Sequence, residues 1–142
     1  MKSSVYIESS VISYLTARPS RDVVKSARQA ITIEWWQSSK VEFDVFISVL
    51  VRKEIAAGDA VAAAQRLAIV QDTFVLGISS EAERIADALI TEKALPENSQ
   101  EDALHIGIAT SHGMDYLLTW NFKHINNAKK KLHVMQQFPV YG

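Results

Sequence analysis

The chain has 142 residues, 48% of them apolar and 22% charged, which is the composition of one globular domain and excludes disordered and fibrous architectures. It contains no cysteine, so disulfide scaffolds, iron–sulfur clusters, thiolate zinc sites and cysteine nucleophiles disappear together, and any metal must be held by oxygen or histidine. Fifteen Lys and Arg against sixteen Asp and Glu give a net charge of −1, which argues against coating nucleic acid by bulk electrostatics and leaves only local patches.

No apolar stretch approaches the ~20 residues needed to cross a bilayer, and the start Met1-Lys2-Ser3-Ser4 lacks the apolar core of a secretion signal. A cytoplasmic protein without membrane contact is expected.

Short apolar runs alternate with longer helical patterns, and no repeat or Pro/Gly/Ser-rich linker divides them. This alternation predicts one α/β domain with a largely parallel sheet. Ser4-Val5-Tyr6-Ile7, β-branched and aromatic, reads as a buried first strand followed at once by polar Glu8-Ser9-Ser10. Ser20 is placed to cap a helix running to about Ser38, with Val24, Ala27, Ile31 and Trp35 on the face that should pack on the sheet. Asp44 to Ser48 forms the second strand, and Val49 to Ala57 a short helix stopped by Gly58. Asp59 opens a helix to about Val70, and Thr73 to Ile78 reads as the third strand. Ser80 with Glu83 matches a capping box before a helix that buries Ile85, Leu89 and Ile90 and ends near Pro96. Ser99 with Asp102 repeats the signal ahead of Ala103-Leu104-His105-Ile106-Gly107-Ile108-Ala109, apolar nearly all round and therefore a central helix. Gly113 closes it, Asp115 to Thr119 gives a fourth strand, and a turn at Trp120-Asn121 leads into a basic segment from Lys123 to Lys131.

In an open parallel sheet, ligands bind beyond the carboxyl ends of the strands. Glu8 follows the first strand, Glu54 lies in the helix after the second, Asp102 opens the central helix before the fourth, and Asn121 follows the fourth. Crossovers of one hand would bring these oxygen donors to one rim. Carboxylates without cysteine or an H-x-x-x-H pair suit Mg²⁺ or Mn²⁺. Two such ions ~3.5–4 Å apart can activate an attacking water and stabilise the leaving oxygen, so phosphodiester hydrolysis fits best. Each residue also has a plainer explanation: Glu8 as an acceptor for the next turn's N–H groups, Glu54 as a solvated helix residue beside Arg52 and Lys53, Asp102 as the capping partner of Ser99, Asn121 as a turn residue.

At these positions the chain resembles the PIN-domain nucleases, in particular the VapC-like toxins of toxin–antitoxin pairs, in the subgroup with Glu at the first acidic position. Tyr6-Ile7-Glu8-Ser9-Ser10-Val11-Ile12-Ser13-Tyr14-Leu15 looks like the first acidic motif and Ile47-Ser48-Val49-Leu50-Val51-Arg52-Lys53-Glu54-Ile55 like the second. Asp102 to Ala109 looks like the third and Leu117-Leu118-Thr119-Trp120-Asn121-Phe122-Lys123-His124-Ile125 like the fourth. The resemblance covers nearly the whole chain. It implies a three-layer α/β/α sandwich around a central parallel sheet of four or five strands, and an endoribonuclease using Mg²⁺ or Mn²⁺ held by Glu8, Glu54 and Asp102, with Asn121 assisting. It also implies a cognate antitoxin and a homodimer. Two departures stand out: Glu8 replaces the family's usual aspartate, and Gln136-Gln137-Phe138-Pro139-Val140-Tyr141-Gly142 does not match the usual final strand with its Thr-Pro motif, so the C-terminal edge strand is missing or atypical.

Lys123, His124, Lys129, Lys130 and Lys131 follow Asn121 closely and would offset repulsion between an acidic pocket and RNA phosphates. Arg21, Lys25 and Arg28 share a helix face and read first as a solvated polar surface. His105, three residues after Asp102 among apolar neighbours, reads as a hydrogen-bonded core histidine rather than a ligand for a hard cation. Thr119 reads as a strand-end threonine that hydrogen-bonds within the pocket, and Trp35-Trp36 should send one ring to the core and the other to a rim. Two other readings remain: a PIN-like module that binds RNA or an antitoxin without cleavage, and, less well supported, a receiver-like phosphoacceptor, for which no strand ends in a convincing acceptor aspartate.

Overall fold

The apolar run ahead of Glu8 becomes β1 (Ser3–Ile7) in a computed structural model that describes residues 1–121 and the short strand at 136–137. Val5, Tyr6 and Ile7 are successive and all fully buried, the mark of a strand covered on both faces. β1 pairs in parallel with β2 (Phe43–Ser48), Val5 opposite Val45, and on its other side with β4 (Tyr116–Leu118), Tyr6 opposite Leu117. β3 (Phe74–Leu76) extends the sheet beyond β2, and β5 (Gln136–Gln137) extends it beyond β4 with Tyr116 opposite Gln136. The order is β3-β2-β1-β4-β5, every pairing is parallel, and helices complete a three-layer α/β/α sandwich. The chain moves outward from β1 through β2 to β3 and then crosses to β4. The topological switch point therefore lies between β1 and β4, where a crevice opens at the strands' carboxyl ends. The C-terminal segment contributes the two-residue pairing of β5; its remaining residues lie outside the described ones.

The helices show where local pattern was overruled. α1 (Ser9–Thr16) follows β1 directly, where the sequence pattern indicated only a polar turn. Val11, Ile12 and Thr16 are β-branched and weak helix formers, but Val11 and Ile12 are buried in the core, and packing outweighs propensity. α2 (Val23–Glu34) is capped by Asp22, which accepts from the Lys25 N–H at 2.8 Å, and not by Ser20; a π-helical turn, Trp35–Ser39, continues it. The expected apolar face is buried only at its end: Trp35 is in the core, whereas Val24 and Ala27 are exposed. The reason is Gln29, whose amide donates to Arg18 O (2.7 Å) and accepts from Ser20 N (3.0 Å). These bonds fasten the preceding loop to the inner side of α2 and leave its first turn outside.

α3 (Val49–Ile55) starts at Ser48, whose hydroxyl accepts from the Val51 N–H (3.1 Å). Gly58 reverses the chain at φ +87° and Asp59 caps α4 (Ala60–Ile69) through Ala62 N–H. α5 (Ser80–Thr91) is capped by Ser79, one residue before the expected Ser80. α6 (Gln100–Ser111) buries Ala103, His105, Ile106, Gly107, Ile108 and Ala109, as its all-round apolar sequence requires. Gly107 lets α6 approach α5 closely, since a Cβ there would stand 2.2 Å from the Ala82 carbonyl oxygen.

Candidate metal centre

Glu8 leaves β1 with its N–H bonded to Leu118 O (3.1 Å), so its position is set by the β1–β4 pairing. It stands at the N-cap of α1, but its side chain makes no cap bond. The carboxylate is buried and instead accepts from Ser10 Oγ (2.5 Å) and Thr119 Oγ1 (2.7 Å). The Ser10 hydroxyl in turn accepts from Trp120 N–H (3.0 Å), and the Thr119 hydroxyl from Asn121 N–H (2.9 Å). Thus, beyond the backbone pairing, the first motif and the fourth are joined by side-chain hydrogen bonds that converge on the Glu8 carboxylate.

Glu54 is carried by α3. Its Oε1 accepts from Ser9 Oγ and from His105 Nε2 (2.7 Å), so it is not the solvated residue that Arg52 and Lys53 alone would suggest. Glu8, Glu54 and His105 each bring a potential ligand atom within 4.8 Å of the others, the single such group among the described residues. Asp102 does not belong to this trio. It is partly exposed, one turn ahead of His105 on α6, and lines a cavity of about 470 Å³ with its neighbours from Glu97 to Glu101. Asn121 is partly buried just beyond β4. Lys123, His124, Lys129, Lys130 and Lys131 lie outside the described residues.

Two participants were not identified from sequence. Glu101, in the first turn of α6, hydrogen-bonds to Glu54. Burial acts to raise the Glu54 pKa, but the hydrogen bond and charge of His105, with the Ser9 and Glu101 bonds, outweigh it and hold Glu54 at about 2. Glu101 is pushed up from its ordinary value by the hydrogen bond to Glu54 and by its charge. The available signal was the four-residue step from Glu101 to His105, which puts both on one helix face. The second participant is Tyr6. Its hydroxyl, fully buried, contacts His105 Nδ1 (2.6 Å) and Ser48 Oγ (2.8 Å). Burial, opposed by the Ser48 bond and reinforced by the charges of Glu8 and Glu54, pushes its pKa far up, so it stays a neutral phenol. His105 is the hydrogen-bonded core histidine that its apolar neighbours indicated, with both ring nitrogens engaged.

Thr119 and the tryptophans match their expected places: Thr119 is buried in the pocket, Trp35 is in the core and Trp36 is partly exposed under Lys40, whose Nζ lies 4.0 Å from the ring centroid. Arg28 is drawn out of the simple polar face by Trp120, 5.2 Å below its guanidinium.

No protein-family model matches the sequence, and no curated protein matches it. Solved structures do. FitAB bound to an IR36 DNA fragment contains a chain that aligns with a TM-score of 0.66 at 15% identity, over 97% of this chain and 98% of that one. FitAcB from Neisseria gonorrhoeae gives 0.66 at 16% identity over 95% and 96%, and VapBC2 from Rickettsia felis, bound to a DNA fragment from their promoter, gives 0.60 at 14% over 94% and 96%. The chain has a PIN-like fold. The likeness runs through nearly the full length of this chain and of each similar chain.

Proposed function

We propose that the protein is a metal-dependent endoribonuclease that hydrolyses RNA phosphodiester bonds as the toxin of a toxin–antitoxin pair. The observation that carries this reading is the meeting of Glu8 and Glu54, 46 positions apart in sequence, within 4.8 Å of each other at the carboxyl ends of parallel strands. The donor set fits Mg²⁺ or Mn²⁺: two carboxylates, no thiolate, and polar surroundings already furnished with Ser9, Ser10 and Thr119 hydroxyls. Glu8 and Glu54 would hold the ion, and Asp102, at the start of α6 on the adjoining cavity wall, would be the third acid. Such a cation, when bound, neutralises phosphate oxygens and favours an in-line displacement by water.

The chain's own groups prepare this site. Ser10 and Thr119 fix the Glu8 carboxylate, Ser9 and His105 fix Glu54, and the Thr119–Asn121 bond fastens the turn that presents Asn121. Lys123, His124, Lys129 and Lys130, next in sequence to Asn121, are proposed to contact RNA phosphates. Support for a protein partner comes from the similar structures, which are the complexes FitAB and VapBC2 on DNA; we assign an antitoxin on that basis, and a homodimer from the family resemblance of the motifs alone. Among the described residues no helix is long and apolar enough to cross a membrane, and we assign the cytoplasm as its compartment.

The test is cleavage of defined RNAs with and without Mg²⁺ or Mn²⁺, beside Glu54→Gln and Asp102→Asn. Metal-dependent cutting that disappears in both variants is expected. Cleavage that survives in them overturns the assignment, and RNA binding without cleavage by the unmodified protein would make it a binding module instead.

A further inference from the structure

Tyr6, Ser48 and His105 are polar side chains in the core, with relative exposures of 0%, 0% and 1%. They form an unbroken chain of hydrogen bonds: Val51 N–H to Ser48 Oγ (3.1 Å), Ser48 Oγ with Tyr6 Oη (2.8 Å), Tyr6 Oη with His105 Nδ1 (2.6 Å), and His105 Nε2 with Glu54 Oε1 (2.7 Å). With a neutral imidazole, Ser48 donates to Tyr6, Tyr6 donates to Nδ1, and the remaining proton sits on Nε2. With a charged imidazole the first two links reverse, and Nε2 again carries a proton. Every arrangement that satisfies all four links therefore ends with His105 donating to the Glu54 carboxylate; the opposite tautomer would set a lone pair against it.

The fold alone does not require this chain. Apolar residues of the same shapes would fill the space at little or no loss of stability, because a buried hydrogen bond nets little once desolvation is counted. A fully satisfied buried network does have a single arrangement. Here that arrangement begins at the residue that caps α3 and ends on the carboxylate that α3 carries, so the helix start and the side-chain tip are fixed by one connected structure.

We propose that Tyr6 and His105 are positioning residues, forming a buried relay from the Ser48 cap that holds the Glu54 carboxylate ready for a divalent cation without touching that cation. This rests on the metal-dependent reading given above. It also accounts for the nearness of His105 to Glu8 and Glu54: the imidazole belongs to the support of the centre and not to its ligand set.

The experiment combines Mn²⁺ affinity, read by electron paramagnetic resonance, with ¹⁵N NMR of the His105 ring at neutral pH. It compares the unmodified protein with Tyr6→Phe, His105→Leu, His105→Gln and Glu54→Gln, each checked for folding by thermal melting. A proton on Nε2 is expected, retained when Mg²⁺ is added. His105→Leu should weaken Mn²⁺ by about 10–100-fold, the usual loss when a ligand's supporting partner is removed. His105→Gln, whose amide N–H can replace Nε2–H, should recover affinity to within roughly threefold, and Tyr6→Phe should fall between them. An Nε2 that lacks a proton, or loses it to Mg²⁺, overturns the proposal by making His105 an acceptor or a ligand. Equal affinity in all Tyr6 and His105 variants, beside loss in Glu54→Gln, refutes the relay alone. Absence of Mn²⁺ binding by the unmodified protein refutes the functional reading and with it the purpose assigned to the relay.

Discussion

Gly107→Ala sets two effects of known size against each other. In a helix interior, alanine is favoured over glycine by about 1 kcal/mol, so propensity alone predicts a more stable protein. The structure predicts the reverse. The new Cβ would lie 2.2 Å from Ala82 O, 3.0 Å from Ala82 C and 3.3 Å from Ala82 Cα. These are backbone atoms of α5, pinned near its Ser79 cap, and cannot turn aside as a side-chain tip would. Restoring ordinary contact requires α6 and α5 to separate by roughly 1 Å, and overpacking of this kind typically costs about 1–3 kcal/mol. With an unyielding neighbour the upper end applies, and after the propensity gain about 2 kcal/mol of destabilisation remains, a fall in Tm of roughly 8 °C for a chain of this size. Because α6 also carries Glu101, Asp102 and His105, the same displacement should reduce Mn²⁺ affinity and RNA cleavage in the folded fraction. Calorimetry and titration on one preparation read both. Gly113→Ala is the control: it has open space around it but φ +67°, so it should lose only about 1 kcal/mol and leave metal affinity unchanged. A Tm for Gly107→Ala equal to or above that of the unmodified protein would refute the close-approach argument.

Thr119→Val keeps the shape but removes the donor to Glu8 and the acceptor for Asn121 N–H; it should destabilise by about 1–3 kcal/mol in urea titration. It should also weaken Mn²⁺ by roughly tenfold, and unchanged affinity would mean that Glu8 needs no such support. Saturating Mg²⁺ should stabilise the protein, by roughly 2.7 kcal/mol at a hundredfold excess over Kd, and Glu54→Gln should abolish the shift; an equal shift in both would place the ion elsewhere. Acid should act through Glu54: its folded pKa of about 2 lies below the ordinary 4.5, so its stabilisation is present above 4.5 and is lost as pH falls towards about 2. Glu101, raised in the folded state, works in the opposite sense, and its contribution fades as pH rises through its raised value. Urea midpoints against pH should therefore fall less steeply with acid in Glu54→Gln than in the unmodified protein, and parallel slopes would contradict the assignment.

The alternation of apolar runs and helical patterns was enough to locate β1 to β4 within a residue or two, because strands of a parallel sheet leave continuous apolar runs, a run kept even in β3, where Phe74 and Val75 are exposed. It was also enough for the ends at Gly58 and Gly113, where positive φ makes glycine the natural occupant. α1 was not legible, since Ser9 to Thr16 combines serine with β-branched residues and becomes helical only by burying Val11 and Ile12 against the sheet. The inward face of α2 was misjudged for a related reason: the periodicity of Val24, Ala27, Ile31 and Trp35 is real, but Gln29 spends its amide on the loop before the helix and so decides which side faces in.

The centre shows the same division more sharply. Glu8 and Glu54 could be read as candidates that meet at one site because each directly follows or closely trails a strand, and strand ends in a parallel sheet share one rim. The partners of these acids obey no such rule. Tyr6 and His105 are each flanked by apolar residues, Val5 and Ile7 on the strand and Leu104 and Ile106 on the helix, so each reads alone as an ordinary core residue, and only the 2.6 Å contact across 99 positions makes them a pair. A polar residue in an apolar run is therefore ambiguous until its partner is known. When two such residues meet and their far ends reach Ser48 on one side and Glu54 on the other, the cost of burying them is offset by hydrogen bonding, and the remaining effect is directional. The stability of the sandwich then depends on its apolar layers, whereas the placement of Glu54 depends on a line of single hydrogen bonds, each open to removal by one atom's change.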